Sequence, residues 1–139
     1  MLIQVNAQNF KSFNESNSLN MIASNKLRTQ KDKLYESVDI ALLKSAVIYG
    51  ANASGKSNFV EVLRFMKECV INQELPIESY NWYCRNHEDN REKISSFSVQ
   101  LLLDGDCYEY GFDAILNTQT IKDEWIVNLN KKENLISEK

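Results

Sequence analysis

The chain has few of the residues that break or cross-link a fold, with four glycines, one proline, one histidine and three cysteines in 139 residues. A single histidine excludes a metal site built from several histidines. Three widely spaced cysteines are typical of free thiols in a reducing compartment. No apolar run approaches the about 18 residues that span a bilayer, and MLIQVNAQNF does not read as a signal peptide. We therefore expect a cytoplasmic protein without a membrane partner.

Charge and apolar content are both close to the averages of globular proteins. Apolar residues make up 43% of the chain, charged residues 25%, and the formal net charge is -3. This balance excludes wholesale disorder. It also argues against a strongly basic nucleic-acid module, although a local basic patch leaves nucleic acid open as a partner. The length suits one compact domain.

Two of the four glycines lie in one stretch, GANASGKS, residues 50–57. The stretch matches GxxxxGK[ST] at every fixed position, and in such a loop successive backbone N–H groups converge on phosphate oxygens. Lys56 would reach the β and γ phosphates of a nucleotide, and the Ser57 hydroxyl would ligate Mg²⁺. The alternative is an incidental glycine turn, because the pattern also occurs by chance.

The segments on both sides of this loop favour nucleotide binding. AVIY, residues 46–49, is a continuous apolar run and predicts a strand buried on both faces of a parallel sheet. The residues from Ser57 to about Ile71 predict an amphipathic helix with an apolar face of Phe59, Leu63, Met66 and Val70. A strand running into the loop and a helix running out of it is the arrangement that supports the motif.

Elsewhere the apolar pattern has a period of two, which is typical of half-buried strands. Residues 2–8 predict one strand and residues 19–23 another. Residues 24–37 predict a polar loop whose lysines and arginine are solvated, with a loop that contacts phosphate as the less favoured alternative. Residues 97–103 and 108–112 predict a hairpin that turns at Asp104-Gly105, because a type I′ turn needs positive φ at both central residues. A further strand is predicted over residues 121–129, and the tail after Asn130 predicts a turn and the start of another strand.

The hairpin residues VQLLLDGD also allow a second interpretation, a Walker B strand in which Asp104 binds Mg²⁺. Strict alternation on both sides of the turn favours the hairpin. A GTPase would carry DxxG and NKxD, but Cys107 and Glu133 replace the glycine and the aspartate. Cys84 and His87 have the spacing of half a zinc site, for which the sequence offers no second pair.

Three features together resemble the N-terminal part of ABC-type ATPases of the SMC, RecF and OLD lineage. They are NFKSF, residues 9–13, the asparagine within GANASGKSN, and the hairpin SFSVQLLLDGDCYEYGFDAIL. More narrowly, the chain is similar to AAA-like ATP-binding proteins of bacterial phage defence, such as Septu, retron-associated and abortive-infection ATPases. The resemblance covers essentially the whole chain. It implies ATP and Mg²⁺ as cofactors and an α/β P-loop NTPase lobe, with a parallel strand, phosphate loop and helix beside an antiparallel β meander.

The resemblance also assigns individual residues. Asn52 would lie at the γ-phosphate, and Lys11 would reach the phosphates from the first loop, at a position where the family usually has arginine with its planar fork. The alternative for NFKSF is that Phe10 and Phe13 hold a turn and leave Lys11 solvated. With Lys11, the predicted nucleotide-binding residues are Gly50, Asn52, Ala53, Ser54, Gly55, Lys56, Ser57 and Asn58, and Ser57 is the predicted metal ligand.

The family's signature motif, Walker B Asp-Glu pair and switch histidine do not occur in this sequence. We therefore expect residues 1–139 to be the N-terminal lobe of a larger ATP-binding head, with no catalytic residue of its own. The resemblance implies a homodimer or higher homo-oligomer through heads that sandwich ATP and control an effector, such as a nuclease in antiviral defence. Two rival hypotheses are a self-contained phosphotransferase or GTPase that uses Asp104, and an interaction domain that has lost its nucleotide.

Overall fold

The computed structural model describes residues 1–24, 31–36, 40–52 and 54–130. Within these ranges the chain forms seven strands, one α-helix and four short 3-10 helices. The strands are β1 (Leu2–Gln8), β2 (Asn17–Asn20), β3 (Leu34–Glu36), β4 (Ala41–Leu43), β5 (Ser95–Leu103), β6 (Asp106–Ile115) and β7 (Thr120–Asn128). The helix α1 is Asn58–Asn72, and the 3-10 helices are Lys31–Lys33, Ile77–Asn81, Glu88–Arg91 and Leu116–Thr118.

The main sheet contains five strands in the order β2-β1-β5-β6-β7. Each neighbouring pair is antiparallel, and so is the separate β3-β4 pair. The alternation in the first strand is seen directly, because Ile3, Val5 and Ala7 are buried while the residues between them are partly exposed. The predicted antiparallel meander is confirmed as β5-β6-β7. The predicted parallel strand is wrong for the described residues, where all strand pairs run in opposite directions.

The turn between β5 and β6 has the conformation that the sequence predicts. Asp104 has φ 51° and Gly105 has φ 94°, so both central residues are left-handed, as a type I′ turn requires. A Cβ at Gly105 would meet no atom within 4 Å, so the backbone conformation rather than space requires glycine here. The hairpin interpretation is therefore confirmed, and Asp104 lies in an exposed turn.

The helix α1 follows the phosphate loop as predicted and ends at Asn72, and the next residue, Gln73, is left-handed with a φ of 58°. The buried face of α1 overlaps the predicted one, because Met66 is buried and Phe59 and Leu63 are partly buried against the core, but the face is rotated toward Phe65. The apolar residues that α1 buries are Val62, Phe65, Met66 and Cys69, whereas Val70 is 53% exposed. Both sets have helical spacing, because apolar residues occupy much of the helix circumference. The aromatic cluster beneath the sheet determines which set is buried, and it selects Phe65.

Four phenylalanines from four parts of the chain form the centre of the core. Phe10 follows β1, Phe65 belongs to α1, Phe97 to β5 and Phe112 to β6, and each is at most 1% exposed. The ring centroids of Phe65 and Phe97 are 5.0 Å apart, and those of Phe97 and Phe112 are 5.1 Å apart. Such pairs contribute about 0.5–1.5 kcal/mol beyond the area that they bury. The cluster therefore fixes α1, and with it the start of the helix at the phosphate loop, on the main sheet.

The segment before the phosphate loop is the largest departure from the predicted fold. Residues 46–49 form no strand, and Val47 and Tyr49 are 72% and 87% exposed. A strand buried on both faces needs a neighbouring strand on each side and a layer above and below. Within the described ranges no strand pairs with this segment. The prediction of a buried strand at AVIY is therefore wrong for this structure.

Three other predictions need adjustment or lie partly outside the described residues. The predicted strand over residues 19–23 begins and ends earlier, as β2. The predicted loop over residues 24–37 contains a 3-10 helix and β3 in its described part, while residues 25–30 and 37 lie outside it. The predicted strand in the tail falls on residues 131–139, which are also outside the described residues.

Candidate phosphate-binding site

The backbone of the phosphate loop requires glycine at the second fixed position and is closely packed at the first. A Cβ at Gly50 would lie 2.7 Å from Ser54 Oγ, so the Ser54 side chain would have to turn away. Gly55 has φ +85°, and a Cβ there would lie 2.6 Å from Ser12 Oγ. The two glycines of the motif are thus explained by close approach at one end of the loop and by both close approach and conformation at the other.

Backbone donors are exposed where the loop meets α1. Among the residues that the structure describes, the N–H groups of Gly55, Lys56 and Ser57 donate to no acceptor. The Asn58 N–H donates to Gly55 O at 3.0 Å, and this bond begins the helical turn. Successive N–H groups at the positive end of a helix dipole form a site for anions. The loop therefore has the donors that a phosphate needs.

Lys56 and Ser57 carry the side-chain chemistry of the motif. The Lys56 ammonium donates to Ala51 O, so the side chain folds across the loop with its charge at the loop backbone. Ser57 is the residue before α1, and its hydroxyl makes no capping hydrogen bond. The hydroxyl is exposed and can reach a ligand. An ammonium for phosphate oxygens and a hydroxyl for Mg²⁺ fit a nucleotide with its metal ion.

The other predicted residues of the loop have different surroundings. Asn52 and Ser54 are exposed, and the Ser54 N–H donates to Ala51 O at 3.3 Å. Ala53 lies outside the described residues. The Asn58 side chain is buried and donates through Nδ2 to Ser12 Oγ at 2.7 Å, so it links the end of the phosphate loop to the NFKSF segment. The predicted nucleotide contacts of these four residues stay predictions.

The NFKSF segment contacts the phosphate loop. The sequence of NFKSF indicates this contact only weakly. Phe10 and Phe13 exchange two backbone hydrogen bonds of 3.0 and 2.8 Å, and both rings are buried. Phe13 packs on Phe59 of α1, with ring centroids 4.9 Å apart. Ser12, at the tip, touches the loop through Gly55 and Asn58. Sequence reasoning missed Ser12, because nothing in a short polar turn indicates which distant loop it meets.

Lys11 is neither solvated nor directed at the phosphate loop in this structure. Its Nζ lies 3.0 Å from Glu61 Oε2 in the first turn of α1 and 4.5 Å from the centroid of the Trp82 ring. Its backbone, with φ 51°, donates an N–H to Trp82 O at 2.6 Å. The alternative agrees with the structure in that Phe10 and Phe13 hold a turn through their two backbone hydrogen bonds, but not in leaving Lys11 solvated. A contact of Lys11 with phosphate stays a prediction.

A buried asparagine, Asn9, holds the segment between α1 and β5 against the end of β1. Asn9 has φ 51°, its Nδ2 donates to Asn90 O at 2.9 Å, and its Oδ1 accepts from the Cys84 N–H at 3.0 Å. Ser95 Oγ donates to Asn9 O at 2.7 Å. Sequence reasoning missed this network. Asparagine's tolerance of left-handed backbone was the one available indication.

Two further kinds of chemical site are a metal site and a reactive cysteine. No three side chains of His, Cys, Asp and Glu in the described ranges are placed to hold a metal ion. Burial raises the pKa of the Cys69 thiol to about 12, with the Glu68 carboxylate adding to the shift. The thiol is therefore neutral at pH 7 and a poor nucleophile. Helix α1 is too short and too polar to span a membrane, and the described ranges contain no other α-helix.

The loop combines a left-handed glycine, unpaired backbone donors, a lysine and a hydroxyl at the start of a helix. Together these features define a P-loop nucleotide-binding domain. The comparisons with known proteins identify the family. The family described as "AAA domain, putative AbiEii toxin, Type IV TA system" matches residues 45–136, and the chain belongs to it. No curated protein matches the sequence. The matched region contains the phosphate loop, α1 and the β5-β6-β7 meander, so the family assignment and the geometry agree on a nucleotide-binding, ATPase-like domain.

Proposed function

We propose that the chain is the ATP-binding lobe of an ATPase of the SMC, RecF and OLD lineage. The observation that carries this proposal is the phosphate loop, in which the left-handed backbone requires glycine at Gly55 and α1 begins at Asn58. The family match over residues 45–136 supports an AAA-type site. The lineage itself is supported by NFKSF, whose Ser12 packs on Gly55.

Each group of loop residues binds a different part of a nucleoside triphosphate. The unpaired N–H groups of Gly55, Lys56 and Ser57 surround the phosphate oxygens, and the Lys56 ammonium exchanges the Ala51 carbonyl for the β and γ phosphates. Asn52, exposed on the loop, contacts the γ-phosphate. Mg²⁺ neutralises phosphate charge when it is bound, and the Ser57 hydroxyl is the ligand that this chain offers it.

Hydrolysis depends on more than these residues. Asp104, the one carboxylate that a Walker B interpretation would use, lies in the exposed β5-β6 turn, a position explained by the hairpin. We therefore propose that ATP is hydrolysed only when two heads associate around it, and that this association controls an effector. We propose an effector that acts against the cell or an invading phage, such as a nuclease. The family description, which includes a putative toxin and a type IV TA system, is compatible with an effector that harms the cell.

Calorimetric titration of the 139-residue chain with Mg²⁺ and ATP tests the proposal. Lys56→Ala should weaken ATP binding by about ten- to a hundredfold, because hydrogen bonds to charged groups contribute about 1.5–3 kcal/mol. Lys67→Ala is the matched control, because Lys67 is an exposed lysine on α1, the helix that follows the loop. This variant should bind ATP as the unmodified chain does. A folded chain that releases no heat with ATP would contradict the proposal and favour the nucleotide-free interaction domain.

A further inference from the structure

We propose that a pocket on the outer face of the main sheet binds a neutral sugar ring. The site lies on the opposite face of the sheet from α1, so it goes beyond the proposed function. This polar pocket has a volume of about 240 Å³, and its lining includes Asn6, Gln8, Ser16, Ser96, Ser98 and Trp125. Among the residues that the structure describes, none that lines the polar pocket is charged. Because drug-sized ligands occupy about 300–1,000 Å³, a pocket of this volume suits a ligand of one ring.

The pairing of the strands brings the residues of the polar pocket together. Asn6 of β1 is paired with Ser98 of β5, Ser98 with Gly111 of β6, and Gly111 with Trp125 of β7. Side chains alternate between the two faces along a strand. Because the neighbours of Asn6, Ser98 and Gly111 pack in the core beneath the sheet, this row lies on the outer face. One amide, one hydroxyl and one indole are thus aligned across four strands.

Trp125 forms the apolar wall of the polar pocket and is held in place before any ligand binds. A Cβ at Gly111 would lie 2.4 Å from Trp125 Cζ2, so the indole covers β6 at the one position where a side chain is missing. Trp125 Nε1 donates to Glu109 Oε1 at 3.1 Å, and Glu109 Oε2 accepts from Gln100 Nε2 at 2.7 Å. An aromatic wall that is already ordered loses little conformational freedom when a ligand binds.

Amides and hydroxyls form the rest of the polar pocket, and much of their hydrogen-bonding capacity is unused. Asn6 Nδ2 donates to Ser98 Oγ at 2.9 Å, and Asn6 Oδ1 accepts from Gln4 Nε2 at 2.7 Å. These bonds orient the pair but leave the Ser98 hydroxyl proton and one Asn6 N–H for a ligand. In the part of the chain that the structure describes, the side chains at positions 8, 16 and 96 have no hydrogen-bond partner. Each amide or hydroxyl both donates and accepts.

A neutral sugar has the chemistry that this set of groups recognises. Its hydroxyls each donate and accept, as the amides and serines of the polar pocket do, and the C–H groups of its ring pack on an indole. The charged residues nearest the polar pocket are acidic, since Glu109 contacts Trp125 and Asp113 is paired with Ser96. These carboxylates repel phosphate. The polar pocket therefore disfavours nucleotides and nucleic acid and is chemically distinct from the phosphate loop.

Fluorescence titration of a Trp82→Phe chain tests the proposal, because the sequence has two tryptophans and this variant keeps only Trp125. The probes are glucose, galactose and N-acetylglucosamine, with glucuronate and adenosine for comparison. At least one neutral sugar should change the fluorescence saturably in the millimolar range. Asn6→Ala should weaken its binding about three- to tenfold through the lost hydrogen bonds. Ser18→Ala, at an exposed position of β2 next to the polar pocket, is the matched control and should leave the affinity unchanged. Saturation-transfer NMR of the unmodified chain provides a second measurement.

The outcomes separate the sugar site from the proposed function. No saturable binding of the three neutral sugars by either method would overturn the sugar site, as would a folded Asn6→Ala chain with unchanged affinity. Glucuronate or adenosine that binds as tightly as the best neutral sugar would overturn the choice of ligand. Lys56→Ala should keep full sugar affinity, and a loss there would place the sugar at the phosphate loop instead. A chain that binds sugar but not ATP would contradict the proposed function alone.

Discussion

In the main sheet, Val5, Phe97 and Phe112 are at most 1% exposed, whereas Val47 and Tyr49, just before the phosphate loop, are 72% and 87% exposed. Both regions carry continuous or alternating apolar residues of the kind that form strands. The difference lies in their neighbours. The strands of the main sheet form hydrogen bonds with each other and pack on the aromatic cluster. Residues 46–49 pair with no strand in the described ranges. Apolar sequence alone therefore does not ensure burial.

The phosphate loop takes its support from one of these two regions. Ser12 and Phe13, which follow β1, pack against Gly55 and Phe59. The chain on the other side of the loop, residues 46–49, contributes no comparable packing. The geometry of the site should thus depend on the main sheet and α1, and changes in the two regions should have very different effects.

The largest effect is expected for Phe65→Ala. Phe65 is fully buried and contacts the rings of Phe97, Phe112 and Trp82, and truncation of such a residue costs about 3–5 kcal/mol. Chemical denaturation should show this loss in the free energy of unfolding. Val70→Ala, on the exposed side of the same helix, is the control and should change it by about 0.5 kcal/mol or less. Equal effects would show that α1 does not pack through Phe65.

An intermediate effect is expected for Gly105→Ala at the β5-β6 turn. Its φ of 94° places an alanine in a backbone region that costs about 1–2 kcal/mol for residues with a Cβ. Gly105→Asn is the control, because asparagine tolerates left-handed conformations better, and it should cost less. Thermal unfolding of the two variants, followed by circular dichroism, gives the comparison. An alanine variant as stable as the unmodified chain would argue against the type I′ turn.

The smallest effect is expected for Val47→Ser. Because the side chain is exposed, the free energy of unfolding should change by about 0.5 kcal/mol or less. The same change at Val62, which is fully buried in α1, removes core contacts and buries a hydroxyl, and should cost about 2 kcal/mol or more. Denaturation of the two serine variants measures the contrast directly. A loss at Val47 as large as that at Val62 would mean that residues 46–49 are packed in solution.

Local patterns predicted the parts of the fold that local chemistry determines. Alternation in residues 2–8 gave β1, and Asp104-Gly105 gave the turn, since each depends on residues adjacent in sequence. The phosphate loop was predicted for the same reason. Its fixed glycines are explained by contacts and conformations within the loop and by one neighbour from elsewhere in the chain, Ser12.

Features that depend on distant contacts were predicted poorly. The buried side of α1 follows from the aromatic cluster, which unites residues from β5, β6 and the first loop. The exposure of Val47 and Tyr49 follows from the neighbours of residues 46–49, which their own apolar pattern does not specify. Asn9 and Ser12 gained their roles through partners 75 and 46 residues away, Cys84 and Asn58. No short window of sequence contains such pairs.

The hydrogen bond between Ser12 and Asn58 has a mechanical consequence. Ser12 continues directly from β1, an inner strand that is paired on both sides, to β2 and to β5. A displacement of the start of α1 is therefore transmitted through one short loop to β1, the second strand of the five-stranded sheet. The first turn of α1 and β1 should thus move together, so that a change at the phosphate loop reaches the sheet through Ser12.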